Sequence, residues 1–177
     1  MMTLLSNKKY TILLLIGLLP VLWSCSYPYQ FSGSGSLPSG ITRLYVSVIE
    51  NRTSEAGIEK YITDGLINEF IQRRKDVLSR QEEAEGILSG SIDNIQDTSI
   101  AHSSQSKSTQ SRVILGLTLK LVDQKGKIIW AANGINANQA YNVTNDKTLT
   151  EQNKKNAIQI LSKRLAEKVY NRMTDDF

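Results

Sequence analysis

Val113-Ile114-Leu115-Gly116-Leu117-Thr118-Leu119-Lys120-Leu121-Val122, then Asp123-Gln124-Lys125-Gly126-Lys127, then Ile128-Ile129-Trp130, is the stretch on which the fold turns. Val113, Leu115, Leu117, Leu119 and Leu121 share one side of a period-two pattern, and Gly116, Thr118 and Lys120 share the other. That alternation predicts a strand in a sheet with one covered face and one polar face. Asp123 to Lys127 reads as a hairpin turn in which Gly126 supplies the positive φ. The returning strand runs from Ile128 through Trp130 to about Asn138.

Upstream, Ile87 to Ile95 reads as a further strand, with Gly86 and Gly90 marking a bulge or a close backbone approach. The Ser/Thr/Gln/Lys-rich segment from Asp97 to Ser111 reads as a long polar loop. Ile41 to Glu50 alternates again, with Leu44, Val46 and Val48 on one face and Arg43, Tyr45 and Ser47 on the other. Val77 to Ser79 reads as a short additional strand.

Helical periodicity appears twice. Asn51-Arg52-Thr53-Ser54 is a turn leading into a helix from Glu55 to about Arg74. Ile58, Ile62, Leu66 and Phe70 form its buried stripe, widened by Ile67 and Ile71. Glu55 and Glu59 at its start and Arg73, Arg74 and Lys75 at its end suit the helix dipole. Near the C-terminus, Thr148 with Glu151 fits a capping box. A helix then spans roughly Glu151 to Met173, with Ile158, Leu161, Leu165 and Val169 as its stripe and Ala157 and Met173 flanking it. The order β-α-β-β-β-β-α predicts an α+β fold: a mostly antiparallel sheet of about four strands with two helices packed on one face.

The 177 residues suit one folded domain, preceded by segments of another kind. Lys8 and Lys9 precede an apolar run from Tyr10 to Trp23, which is shorter than the roughly 20 residues of a membrane span. It reads as the h-region of a signal peptide. Leu22-Trp23-Ser24-Cys25 resembles a lipobox, although Trp23 is bulkier than the residue usual there. Cys25 is the only cysteine, so an internal disulfide is excluded and lipidation is the expected fate of its thiol. Ser26 stands where an Asp would retain a lipoprotein in the inner membrane, which favours the outer membrane. The expected division is 1–24 signal peptide, 25–40 lipidated N-terminus and tether, and 41–177 folded domain. The formal net charge is +4, part of it in the leader, which is too mild to argue for nucleic acid.

The chemical inventory points away from catalysis. His102 is the only histidine and falls in the polar segment 97–111, where a solvated residue is the simpler reading than a catalytic base. No Cys/His cluster suits zinc, and no phosphate-binding glycine motif suits a nucleotide cofactor, so no metal or cofactor is expected. Asp175-Asp176 reads as a solvated chain end. The strand order instead brings segment 97–111 and segment 139–150 to the same end of the sheet. Lys107, Arg112 and Lys147 belong to that end, with Tyr141 nearby, and such cations suit a phosphate-bearing ligand.

Cys25-Ser26-Tyr27 with Phe31-Ser32-Gly33, then Val48-Ile49-Glu50-Asn51-Arg52-Thr53 leading into Gly57-Ile58-Glu59, resembles the LptE family. So does Leu121-Val122-Asp123 with Gly126-Lys127-Ile128-Ile129-Trp130. The resemblance covers the chain from Cys25 to the last helix. It implies a non-enzymatic outer-membrane lipoprotein that plugs the large β-barrel LptD, helps it assemble, and helps deliver lipopolysaccharide to the outer leaflet. It also implies lipopolysaccharide contacts at the basic end of the sheet, where Lys107, Arg112 and Lys147 stand. The Asn-Arg-Thr turn also resembles the LpoB, CsgG and TolB-like periplasmic domains. The alternative is therefore a lipoprotein that activates a periplasmic enzyme or forms a secretion assembly.

Overall fold

A computed structural model describes residues 36–102 and 108–175. Cys25, Lys107, Asp176 and the segments 1–24 and 25–35 lie outside the described residues. In chain order the elements are β1 (Leu44–Val46), β2 (Glu50–Asn51), α1 (Ile58–Arg74), β3 (Gly86–His102), β4 (Ser108–Asp123), β5 (Ile128–Asn142) and α2 (Lys147–Asp175).

β4 is central because its alternation has a layer to bury against. Val113, Leu115, Leu117, Leu119 and Leu121 are each 0% exposed. In register, Leu121 lies between Leu88 and Trp130, and Leu117 between Ile92 and Ile135. β3, β4 and β5 form an antiparallel meander, and β1 and β2 pair parallel with β3 at its other edge. The predicted α+β class holds, with five strands and two helices.

Both helices cover the leucine face. Ile58, Ile62, Leu66 and Phe70 of α1 are buried, as are Ile158, Leu161, Leu165 and Val169 of α2. The α1 stripe is narrower than expected, since Ile71 is exposed. The helices meet closely at Gly65, where an added Cβ would lie 3.1 Å from the Ser162 carbonyl oxygen. Phe70 and Tyr170 join them edge to face at 5.4 Å between ring centres.

Four local expectations are corrected. The strand expected over Ile41–Glu50 breaks at Ser47, leaving Val48 exposed and Ile49 buried. The Ile49 N–H donates to the Thr63 hydroxyl of α1 instead of to a strand, and this shifts the alternation by one residue. Val77 ends a 3-10 turn, and only a single parallel bridge joins Leu78 to Leu44. Segment 97–111 is mostly strand rather than loop: pairing continues through Thr98↔Arg112, Ser99↔Ser111 and His102↔Ser108. Backbone pairing outlasts the apolar alternation there because ladder hydrogen bonds need no buried side chains. Finally, Asp146 caps α2 in place of Thr148, its Oδ1 accepting from the Thr148 and Leu149 N–H groups at 2.8 and 3.2 Å, and the helix begins at Lys147, about one turn before the expected start at Glu151.

Two irregularities shape the sheet. Asp93 is the extra residue of a bulge in β3, and its carboxylate accepts from the Ser91 and Thr118 hydroxyls at 2.7 and 2.6 Å. Gly90 marks a close approach, as a Cβ there would come within 2.1 Å of the Thr118 carbonyl oxygen.

Candidate functional site

The end of the sheet formed by the last residues of β3 and the first of β4 gathers Arg112, Lys147 and Tyr141. Val113 faces the helices, so its neighbour Arg112 faces the open side, between Thr98 and Ala140. Arg112 is exposed. Lys147 is also exposed and opens α2, in the helical layer. The two cations therefore share one end of the molecule but stand on different layers. Neither makes an ion pair among the described residues. The N-terminal amides of α2 are already engaged by Asp146, so Lys147 brings charge to this end rather than a vacant backbone anion site.

Between those layers lies a polar network. The apolar face of β4 gives way to Ser111, flanked in register by Ser99 and Tyr141. The Tyr141 hydroxyl donates to Asp97 Oδ2 at 2.5 Å. Lys154 Nζ of α2 lies 2.8 Å from Glu55 Oε2 and 3.9 Å from Asp97 Oδ2. One chain of contacts thus ties β5, β3, α2 and the segment before α1. Burial, then the bond to Asp97, hold the Tyr141 phenol well above its ordinary value. Burial pulls the Lys154 ammonium down, but the hydrogen bond and charge of Glu55, with Asp97, raise it overall. Both groups therefore keep their protonated forms.

The Asn51-Arg52-Thr53 turn abuts this network. Asn51 Oδ1 accepts from the Thr53 N–H and hydroxyl, while its Nδ2 donates to the Glu55 carbonyl oxygen and to Glu59 Oε2. These bonds shape the entry to α1.

Asp97, Glu55 and Lys154 escaped the sequence reading as a group because their partners are distant in the chain. Lys154 had a signal: it stands one turn before Ile158 on the apolar stripe of α2, an unusual place for an unpaired cation. His102 ends β3, and Asp175 ends α2 exposed. Among the described residues no group of three or more His, Cys, Asp or Glu could hold a metal.

The open face carries a different chemistry. Its rows run Ser89-Lys120-Ala131, Asn94-Gly116-Asn136, Gln96-Ile114-Asn138 and Thr98-Arg112-Ala140. Amides and hydroxyls dominate it. A groove of about 450 Å³ crosses it away from the Arg112 end, and its Arg52 is neutralised by Glu50 at 2.8 Å. No helix among the described residues is long and apolar enough to cross a membrane.

A family model for LptE, described as lipopolysaccharide-assembly, matches residues 41–173. No curated protein matches the sequence. The fold is similar to an uncharacterized lipoprotein B of Nitrosomonas europaea at TM-score 0.55 and 10% identity, over 78% of this chain and 84% of that one. It is also similar to the rare lipoprotein B of Shewanella oneidensis at TM-score 0.50 and 10% identity, over 75% of this chain and 95% of that one. At such identities these two likenesses speak for the fold.

Proposed function

The chain belongs to the LptE lipopolysaccharide-assembly family, and from that premise we propose that it is a non-enzymatic outer-membrane lipoprotein, anchored through Cys25, that plugs an LptD-type β-barrel and assists the delivery of lipopolysaccharide. The family match across residues 41–173 carries the reading. The open sheet face supports it, because amide and hydroxyl side chains suit the polar, hydrated lumen of a large barrel. In this reading residues 1–24 are the signal peptide, 25–40 the lipidated tether and 41–177 the working domain. Several acyl chains on Cys25, each buried methylene contributing about 0.8 kcal/mol, suffice to hold the domain at the membrane.

Lys107, Arg112 and Lys147 are the residues proposed to meet lipopolysaccharide phosphates. Arg112 offers a planar fork suited to a bidentate bond, and Lys147 a flexible point charge. A Lys107→Asp, Lys147→Asp variant is expected to lose lipopolysaccharide binding. Undiminished binding at moderate, stated salt would reject the site, since exposed charge contacts weaken with ionic strength.

Purification of the full chain from outer membranes in mild detergent tests the role itself. A large β-barrel should accompany it. Recovery without a barrel would overturn the reading, and a ring-shaped homo-oligomer would favour the enzyme-activating or secretion class.

A further inference from the structure

β5 is the edge of the sheet, and a bare edge strand of 15 residues is a template for another strand. Its outward carbonyls are not bare. Lys168 Nζ donates to the Asn136 carbonyl oxygen at 2.7 Å, and Arg164 Nη1 to that of Asn138 at 3.2 Å. Gln139 Nε2 donates to the Ala140 oxygen and Asn153 Nδ2 to the Asn142 oxygen, both at 3.0 Å. Four alternate carbonyls in succession are thus engaged by side chains, three of them from α2.

The alternation identifies this row as the outer edge. In an antiparallel ladder the N–H and C=O of one residue point to the same side, so residues 136, 138, 140 and 142 face away from β4 while their neighbours bond to it. The Val143 N–H, which bonds to the Thr109 carbonyl oxygen of β4, has the opposite parity, as this requires.

We propose that α2 is a built-in guard of this edge: Asn153, Arg164 and Lys168 occupy the carbonyls that an added strand would need, and so prevent a second copy of this chain from pairing through β5. The occupant excluded is specific. Two β5 edges brought together antiparallel present the same donors and acceptors to each other, and the Asn-rich side chains of residues 133–142 carry no charge that would repel a copy. The charges that oppose such pairing lie on α2. This guard is independent of the lipopolysaccharide reading.

The test is sedimentation equilibrium of the full lipidated chain in density-matched detergent. Arg164→Met with Lys168→Met keeps unbranched aliphatic side chains and removes the donors. Self-association of this variant should shift to concentrations lower by roughly tenfold or more, while the wild type stays monomeric. Adding Asn138→Pro removes an outward N–H without touching the β4 ladder and should restore the monomer. A variant that keeps the wild-type circular dichroism and remains monomeric overturns the proposal. So does an association that Asn138→Pro fails to reverse. If the double variant misfolds, the single variants Arg164→Met and Lys168→Met carry the same test, each with a smaller shift.

Discussion

The face of the sheet beneath the helices changes character along one strand. At the turn end of β4, Leu121, Leu119 and Leu117 meet apolar neighbours and are fully buried. At the Arg112 end the same face carries Ser111 beside Tyr141, with Asp97, Lys154 and Glu55 closing a polar network. Apolar contact is non-directional and scales with area, so the first region supplies stability. Hydrogen bonds and ion pairs need particular distances and angles, so the second fixes how the β3–β4 ribbon sits against the helices. Leucine burial holds the protein together, and the polar network orients its basic end.

The strongest test of that division is Leu117→Ala. Leu117 is 0% exposed between Ile92 and Ile135, so its truncation should cost about 2–5 kcal/mol in denaturant unfolding. A loss under 1 kcal/mol would mean that the turn end is not the stabilising region. Gly90→Ala comes next. Its Cβ would press on Thr118 and Leu119 backbone atoms, so overpacking should cost about 1–3 kcal/mol.

Lys154→Met probes the other region. It leaves Glu55 and Asp97 without their shared cation and should cost about 1 kcal/mol, read as a lowered denaturant midpoint. The larger signature is local: amide exchange near Ser111 and Tyr141 should accelerate while that around Leu117 stays near wild type. Equal acceleration at both places would erase the distinction between the regions.

Alkali sharpens the same contrast. The Tyr141 phenol and the Lys154 ammonium are both raised in the folded state. Their contributions are therefore fully present below the ordinary values of about 10 and 10.4, and are lost as pH climbs above them. A thermal midpoint followed from pH 8 upward should fall from near pH 10, and Tyr141→Phe should flatten that fall. An unaltered slope would show that Tyr141 plays no part in it. The smallest effect belongs to Arg112→Ala. Arg112 is exposed on the open face, so stability should change by less than about 0.5 kcal/mol, while lipopolysaccharide binding, measured at stated salt, should weaken.

Much of the turn end was legible in the sequence because burial writes itself as periodicity. The alternation from Val113 to Leu121 and the stripes Ile58-Ile62-Leu66-Phe70 and Ile158-Leu161-Leu165-Val169 each reappear as buried faces. The Arg112 end was less legible. On β3 apolar alternation stops after Ile95, and Asp97 on β3 and Ser111 on β4 are polar on the covered face, so a paired ribbon looks like a polar loop. The break at Ser47 was equally hidden, because it depends on Thr63, 14 positions from Ile49, catching its N–H. Of the candidate site, the cations could be assigned to one end from strand order, but their separation onto two layers could not.

By itself the sequence determined the fold class, the buried faces of β4 and of the two helices, and the family, since all of these rest on local pattern and residue type. Tertiary structure alone decided the rest: the length of the β3–β4 ribbon, the joining of Tyr141 to Asp97 across 44 positions, and the row of α2 donors along β5. The physical reason is range. Side-chain periodicity records whether a residue meets solvent or core, whereas a hydrogen bond between distant segments exists only once the whole chain has brought donor and acceptor together.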